Sequence, residues 1–123
     1  MKLIHDFFEP LAVEAVEGEL RCQVKFNPEH FIYQAHFPGN PVTPGVCLVQ
    51  MAAEILGEHY QKYFLLSQLK NIKFKKIVQP EDQPTFVFTK LVFDDHQLSA
   101  QVSIEDDEAQ YVKMSLLYHP SNV

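Results

Sequence analysis

The chain has 123 residues, of which 46% are hydrophobic, enough for one domain with a substantial core. Its net charge of −6 argues against general nucleic-acid binding, and its longest apolar run is far too short to span a membrane. Two cysteines, Cys22 and Cys47, suit reduced thiols rather than a disulfide framework, and no CxxC or HxxxH spacing suggests a metal site. The opening residues lack a basic and apolar leader, so a cytoplasmic location without membrane attachment is expected.

Residues 1–10 form a short segment whose Ile4, Phe7 and Phe8 are expected to pack on the domain as a helical turn or an extended arm. Leu11–Val16 reads as a strand turned back at Glu17-Gly18. Leu20–Phe26 alternates Leu20, Cys22, Val24 and Phe26 with polar residues, the period of a half-buried strand. Asn27-Pro28 breaks it, and Phe31-Ile32-Tyr33 leads to His36.

His36-Phe37 then enters Pro38-Gly39-Asn40-Pro41-Val42-Thr43-Pro44-Gly45, where proline fixes φ and glycine permits tight backbone approach. A helix is expected from Gly45 or Val46 to about Tyr60. Apolar residues fill nearly all its first eleven positions, which predicts an enclosed helix. Gln50, Glu54 and Glu58 make one polar row along it at i, i+4 spacing. Gly57 is expected to loosen the last turns. A histidine held beside a helix start is equipment for proton transfer next to a carbonyl that the free N–H groups polarise.

Gln61–Gln68 reads as a linking stretch and Asn71–Val78 as a strand, followed by a turn at Gln79–Asp82. Thr85–Phe93, Leu98–Glu105 and Tyr111–Tyr118 read as the last strands, separated by turns at Asp94–Gln97 and Asp106-Asp107. Two strands, a loop, a central helix and about four more strands predict an α+β fold, an antiparallel sheet wrapped around one helix. Lys70, Lys73, Lys75 and Lys76 gather within Leu69–Ile77. They form either a solvated strand face or a landing site for a small acidic partner.

His36 to Gly45, HFPGNPVTPG, resembles the active-site loop of the FabA/FabZ-type (3R)-hydroxyacyl-[acyl-carrier-protein] dehydratases, a hot-dog-fold family. Their pattern is roughly H-F-x-x-x-P-V-x-P-G-x-L, with Cys47 here in place of the final Leu. The stretch from Asn71 to Gln83 is similar to a second segment of that family. The family's amino-terminal motif is missing and Ala35 replaces a usual Gly, which marks a short, divergent member.

The resemblance implies a single hot-dog domain over 1–123, with its central helix at 45–60. It implies a homodimer, compatible with larger assemblies, that acts on acyl carrier protein without metal or cofactor. His36 would be the base, with Phe37, Gly45 and Val46 at the substrate and the Gly45 N–H holding the thioester carbonyl. Lys75 and Lys76 lie where the carrier protein would dock.

The family's catalytic acid falls fourteen residues after the His, where this chain has Gln50, while its usual Gln four residues on is Glu54. An amide cannot hand a proton to a leaving hydroxide. Three readings therefore stay open. In the first, a dehydratase handles the hydroxyl with Gln50 and Glu54, either with Glu54 supplying the acid or with His36 acting alone, first as base and then as proton donor, while Gln50 orients the hydroxyl. The second is an acyl-thioester hydrolase, and the third a non-catalytic acyl-thioester-binding subunit.

Overall fold

A computed structural model describes residues 2–35, 39–94 and 96–121. Six strands form one antiparallel sheet: β1 (Phe8–Val16), β2 (Glu19–Phe26), β3 (Tyr63–Phe74), β4 (Thr85–Phe93), β5 (Leu98–Glu105) and β6 (Gln110–Ser121). Their order across the sheet is β1-β2-β4-β5-β6-β3. The helices are α1 (Phe31–Ala35) and α2 (Gly45–Tyr60). This α+β arrangement, a sheet curled about a central helix, is the hot-dog fold.

Alternation in sequence becomes two-sidedness in space. β5 buries Leu98, Ala100, Val102 and Ile104, and the residues between them are half-buried. β2 does the same with Leu20, Cys22, Val24 and Phe26. Against these faces α2 lays Cys47, Leu48, Met51, Ala52, Ile55 and Leu56. Phe86, Phe88, Met114 and Tyr118 fill the space between them.

Three local expectations are corrected. The strand after α2 begins at Tyr63, so most of the stretch read as a linker is strand, and the strand ends at Phe74 rather than Val78. β3 is an edge strand with Leu65, Leu66 and Leu69 exposed, and its register slips at Leu66/Gln68 and Lys70/Lys73. Those bulges destroy the period-2 signal. The residues ahead of His36 form the short helix α1, which carries too few turns to show a helical period.

Gly57, finally, tightens the helix end. Gln61 takes the left-handed conformation at φ 55°, and the Lys62 N–H returns to the Gly57 carbonyl at 3.0 Å. A Cβ on Gly57 would lie 2.8 Å from the Lys62 carbonyl oxygen, so the chain doubles back here through the space a side chain would fill.

The helix is enclosed on one side only. Val46, Glu58 and His59 are exposed, while Gln50, Ala53, Glu54 and Gly57 line an open groove completed by Tyr63 and Phe64. The groove has a volume of about 700 Å³. The amino-terminal segment is an arm of turns that buries Leu3, Ile4, Phe7 and Phe8 beside the helix.

Candidate active site

His36 and Phe37 lie outside the described residues, so the site is built from what flanks them. On one side Tyr33 of α1 and the buried Thr43 share a hydroxyl–hydroxyl bond of 2.8 Å. The Thr43 N–H also donates to the Val78 carbonyl at 2.8 Å. The return limb of the loop is thus bolted to α1 and to the segment after β3. Burial holds the Tyr33 hydroxyl protonated far above the usual range, so it serves as a fixed neutral pin. Sequence reasoning missed this pair, although the Thr in Pro41-Val42-Thr43-Pro44 was its one visible trace.

Pro44 sits at the amino cap of α2 with φ −62° and ψ 142° and makes no side-chain cap bond. Gly45 and Val46 supply first-turn N–H groups, for which the helix itself offers no acceptor. Together with the helix dipole they make a weakly positive end suited to a carbonyl oxygen. A Cβ on Gly45 would stand 2.7 Å from Cζ of Phe74, so the ring packs directly on this glycine and would have to swing aside for a side chain. Phe74, at the end of β3 and 57% exposed, covers the start of the helix like a flap. Val46 is 75% exposed beside it.

Lys75 and Lys76 follow Phe74 directly. Their N–H groups both donate to the Tyr111 carbonyl, at 2.7 and 3.2 Å, which ties this segment to the start of β6. Lys75 Nζ donates to Gln110 Oε1 at 2.5 Å, and Lys76 Nζ lies 5.4 Å from the Tyr111 ring centroid. Cys47, in the first turn, is buried, and desolvation raises its thiol pKa, so proximity to the helix dipole does not make it a thiolate.

One turn further on, Gln50 and Glu54 meet. Gln50 Nε2 donates to Glu54 Oε2 at 2.8 Å. The carboxylate also faces the amino-terminal arm. It receives the Leu3 N–H at 2.9 Å on Oε2 and 3.1 Å on Oε1, and the Ile4 N–H at 2.6 Å on Oε1. The structure thus brings Gln50 and Glu54 together and places both on the groove, but the acid foreseen at Glu54 is engaged by the arm. Among the described residues, no group of three or more His, Cys, Asp or Glu side chains is placed to hold a metal.

A six-stranded antiparallel sheet around a helix whose first turn begins at a Pro-Gly corner defines a hot-dog protein. The chain belongs to the ApeI-like family, described as ApeI dehydratase, which it matches over residues 12–115. It is 44% identical over 94 residues to the 3-hydroxyacyl-[acyl-carrier-protein] dehydratase FabZ of Levilactobacillus brevis, covering 67% of this chain and 64% of that one. It spans little more than half the length of other curated FabZ dehydratases that it matches.

Among solved structures, it is similar to one of the dehydratase heterocomplex ApeI:P from Xenorhabdus doucetiae. That likeness has a TM-score of 0.60 at 18% identity and covers 90% of this chain and 96% of that one. It is also similar to a putative thioesterase from Lactococcus lactis, with a TM-score of 0.65 at 11% identity over 92% and 91% of the two chains. At such identities the likeness establishes the fold.

Proposed function

We propose that this chain dehydrates (3R)-3-hydroxyacyl thioesters, carried on acyl carrier protein, to trans-2-enoyl thioesters in fatty-acid or related acyl-chain synthesis. The observation that carries the reading is the Gly45 helix start. Its first-turn N–H groups lie beside Phe74, in a chain of a dehydratase family, and would hold the thioester carbonyl. His36 takes the proton from C2 of the acyl chain, an exchange suited to imidazole near neutral pH. Negative charge moves onto the thioester oxygen, where the Gly45 N–H donates to it. The bond from C3 to oxygen then breaks as the C2–C3 double bond forms. The imidazolium returns the same proton to the departing hydroxyl, which leaves as water and restores neutral His36. Gln50 hydrogen-bonds the 3-hydroxyl and holds it toward His36, a role that an amide performs without titrating.

Lys75 and Lys76 receive the acidic carrier protein, and its thioester arm passes Phe74 and Val46. A homodimer suits the exposed apolar edge of β3, since pairing there covers Leu65, Leu66 and Leu69. A cytoplasmic setting fits this chemistry, and no helix among the described residues is long and apolar enough to cross a membrane.

Gln50 also favours a second reading, that of a non-catalytic acyl-thioester-binding subunit paired with an active partner. The Xenorhabdus doucetiae protein, seen in a dehydratase heterocomplex, is consistent with such pairing. Mass spectrometry of purified wild type and His36→Ala, incubated with 3-hydroxyacyl and 2-enoyl carrier-protein thioesters, separates the readings. A dehydratase interconverts the two and loses this in His36→Ala. Release of free thiol refutes dehydration in favour of hydrolysis, and an inert wild type that Gln50→Glu activates identifies the binding subunit.

A further inference from the structure

The polar pair on α2 and the arm beside it form one connected unit. Glu54 has two oxygens, and the N–H groups of Leu3, Ile4 and the Gln50 amide all point at them, between 2.6 and 3.1 Å away. A general acid must carry its proton on an oxygen aimed at the leaving group. Here both oxygens already accept from the arm, and one of them from the Gln50 amide as well. The amide of Gln50 is oriented by the same contact: Nε2 must face the carboxylate, so Oε1 is turned away from Glu54.

The arm is tied a second time, to the segment that leads into His36. The Ile32 N–H, at the start of α1, donates to Nδ1 of the buried His30 at 3.2 Å. That bond leaves Nε2 of His30 to donate to Asp6 Oδ2 at 3.1 Å. Asn27 adds two more ties, donating from its backbone N–H to the Phe7 carbonyl at 2.8 Å and from Nδ2 to the Asp6 carbonyl at 3.1 Å. One short arm therefore touches the helix bearing Gln50 and the turn ahead of His36.

We infer that Glu54 is a positioning residue: it clamps the arm through the Leu3 and Ile4 N–H groups and fixes the orientation of the Gln50 amide, the group that the dehydratase reading sets on the substrate hydroxyl. The inference rests on the dehydratase reading for its catalytic consequence, while the clamp itself is tested without turnover. The arm is a strut between the two halves of the site. It acts through backbone amides, which any residue but proline provides.

The test uses the whole chain, isotope-labelled for NMR, as wild type, Glu54→Ala, Ile4→Pro and the double variant. Ile4→Pro deletes one of the clamped N–H groups and leaves Glu54 in place. In Glu54→Ala the Leu3 amide should exchange at least about tenfold faster than in wild type, and the Gln50 side-chain amide resonances should move. On a 3-hydroxyacyl carrier-protein thioester, kcat should fall about 10- to 100-fold with KM within about twofold. Ile4→Pro should shift the Gln50 amide the same way and lower kcat in the same sense, and the double variant should be no worse than Glu54→Ala alone.

The inference is overturned if Glu54→Ala abolishes turnover while folded Ile4→Pro leaves kcat and the Gln50 amide unchanged, since the carboxyl then acts on substrate itself. Should Ile4→Pro fail to fold, the Gln50 amide in Glu54→Ala decides, and an unmoved resonance overturns the clamp. Where wild type shows no turnover, the dehydratase reading falls by itself and the same resonance still decides the clamp.

Discussion

Gly57→Ala puts two rules of helix energetics in opposition, and the structure gives the sign. Propensity alone favours the change, because alanine inside a helix is worth about 1 kcal/mol over glycine. The added Cβ, however, meets the Lys62 carbonyl oxygen at 2.8 Å, and that atom is backbone. Relief requires moving the turn that the Gln61 and Lys62 N–H groups close onto the Gly57 carbonyl, and with it the start of β3. Overpacking of this kind costs about 1–3 kcal/mol. The expected net result is a loss of about 1 kcal/mol at the middle of that range and about 2 kcal/mol at its top, or a fall in Tm of about 3–10 °C for a chain of this size.

Gly45→Ala is the internal control. Its clash at 2.7 Å is with the tip of a ring that is largely exposed and free to swing away, so stability should stay within about 1 kcal/mol of wild type. Urea unfolding of both variants, followed by circular dichroism, measures the difference. If Gly57→Ala is as stable as wild type or more so, the close approach at Lys62 does not constrain the helix end, and the reasoning fails.

Two further outcomes are expected. Tyr118 is fully buried, and its hydroxyl has no hydrogen-bond partner among the described residues, so Tyr118→Phe should gain about 1 kcal/mol; a lower Tm in the variant would show that the hydroxyl is satisfied. Burial pushes the Cys22 thiol from its ordinary 9.0 up to about 11, so the folded chain holds this proton more tightly than the unfolded one. The stability this gives is complete below about pH 9.0 and lost as pH rises toward about 11, so urea midpoints should fall more steeply across that window in wild type than in Cys22→Ala.

Where one face of an element is buried and the other wet, the sequence announced it. Thr85–Phe93 and Leu98–Glu105 could be read to the residue, the second because it alternates strictly and the first because its β-branched and aromatic run is bounded by turns. The motif from His36 to Gly45 was legible too, since its prolines and glycines are local backbone constraints. β3 was half-lost because an edge strand with bulges and outward leucines has no two-sided pattern to show. The contacts of Glu54 were hidden for a different reason. Its partners are backbone amides of Leu3 and Ile4, fifty residues away and without any side-chain signature. Helix spacing could place Glu54 on the groove, but only the fold shows what fills its oxygens.

The strand order carries a consequence for how the chain is made. β3 neighbours β6 alone, and β6 is the last element in the chain. At about 5–20 residues per second, β3 leaves the ribosome seconds before its ladder partner is synthesised. During that interval Leu65, Leu66 and Leu69 are exposed on a strand with no hydrogen-bonded neighbour, while the β1–β2 hairpin has long been able to close. Completion of the sheet is thus a late event at the carboxyl end. A premature stop within residues 110–121 would release a nascent chain with β3 unpaired on both sides and β5 newly open on one, and a strong tendency to aggregate.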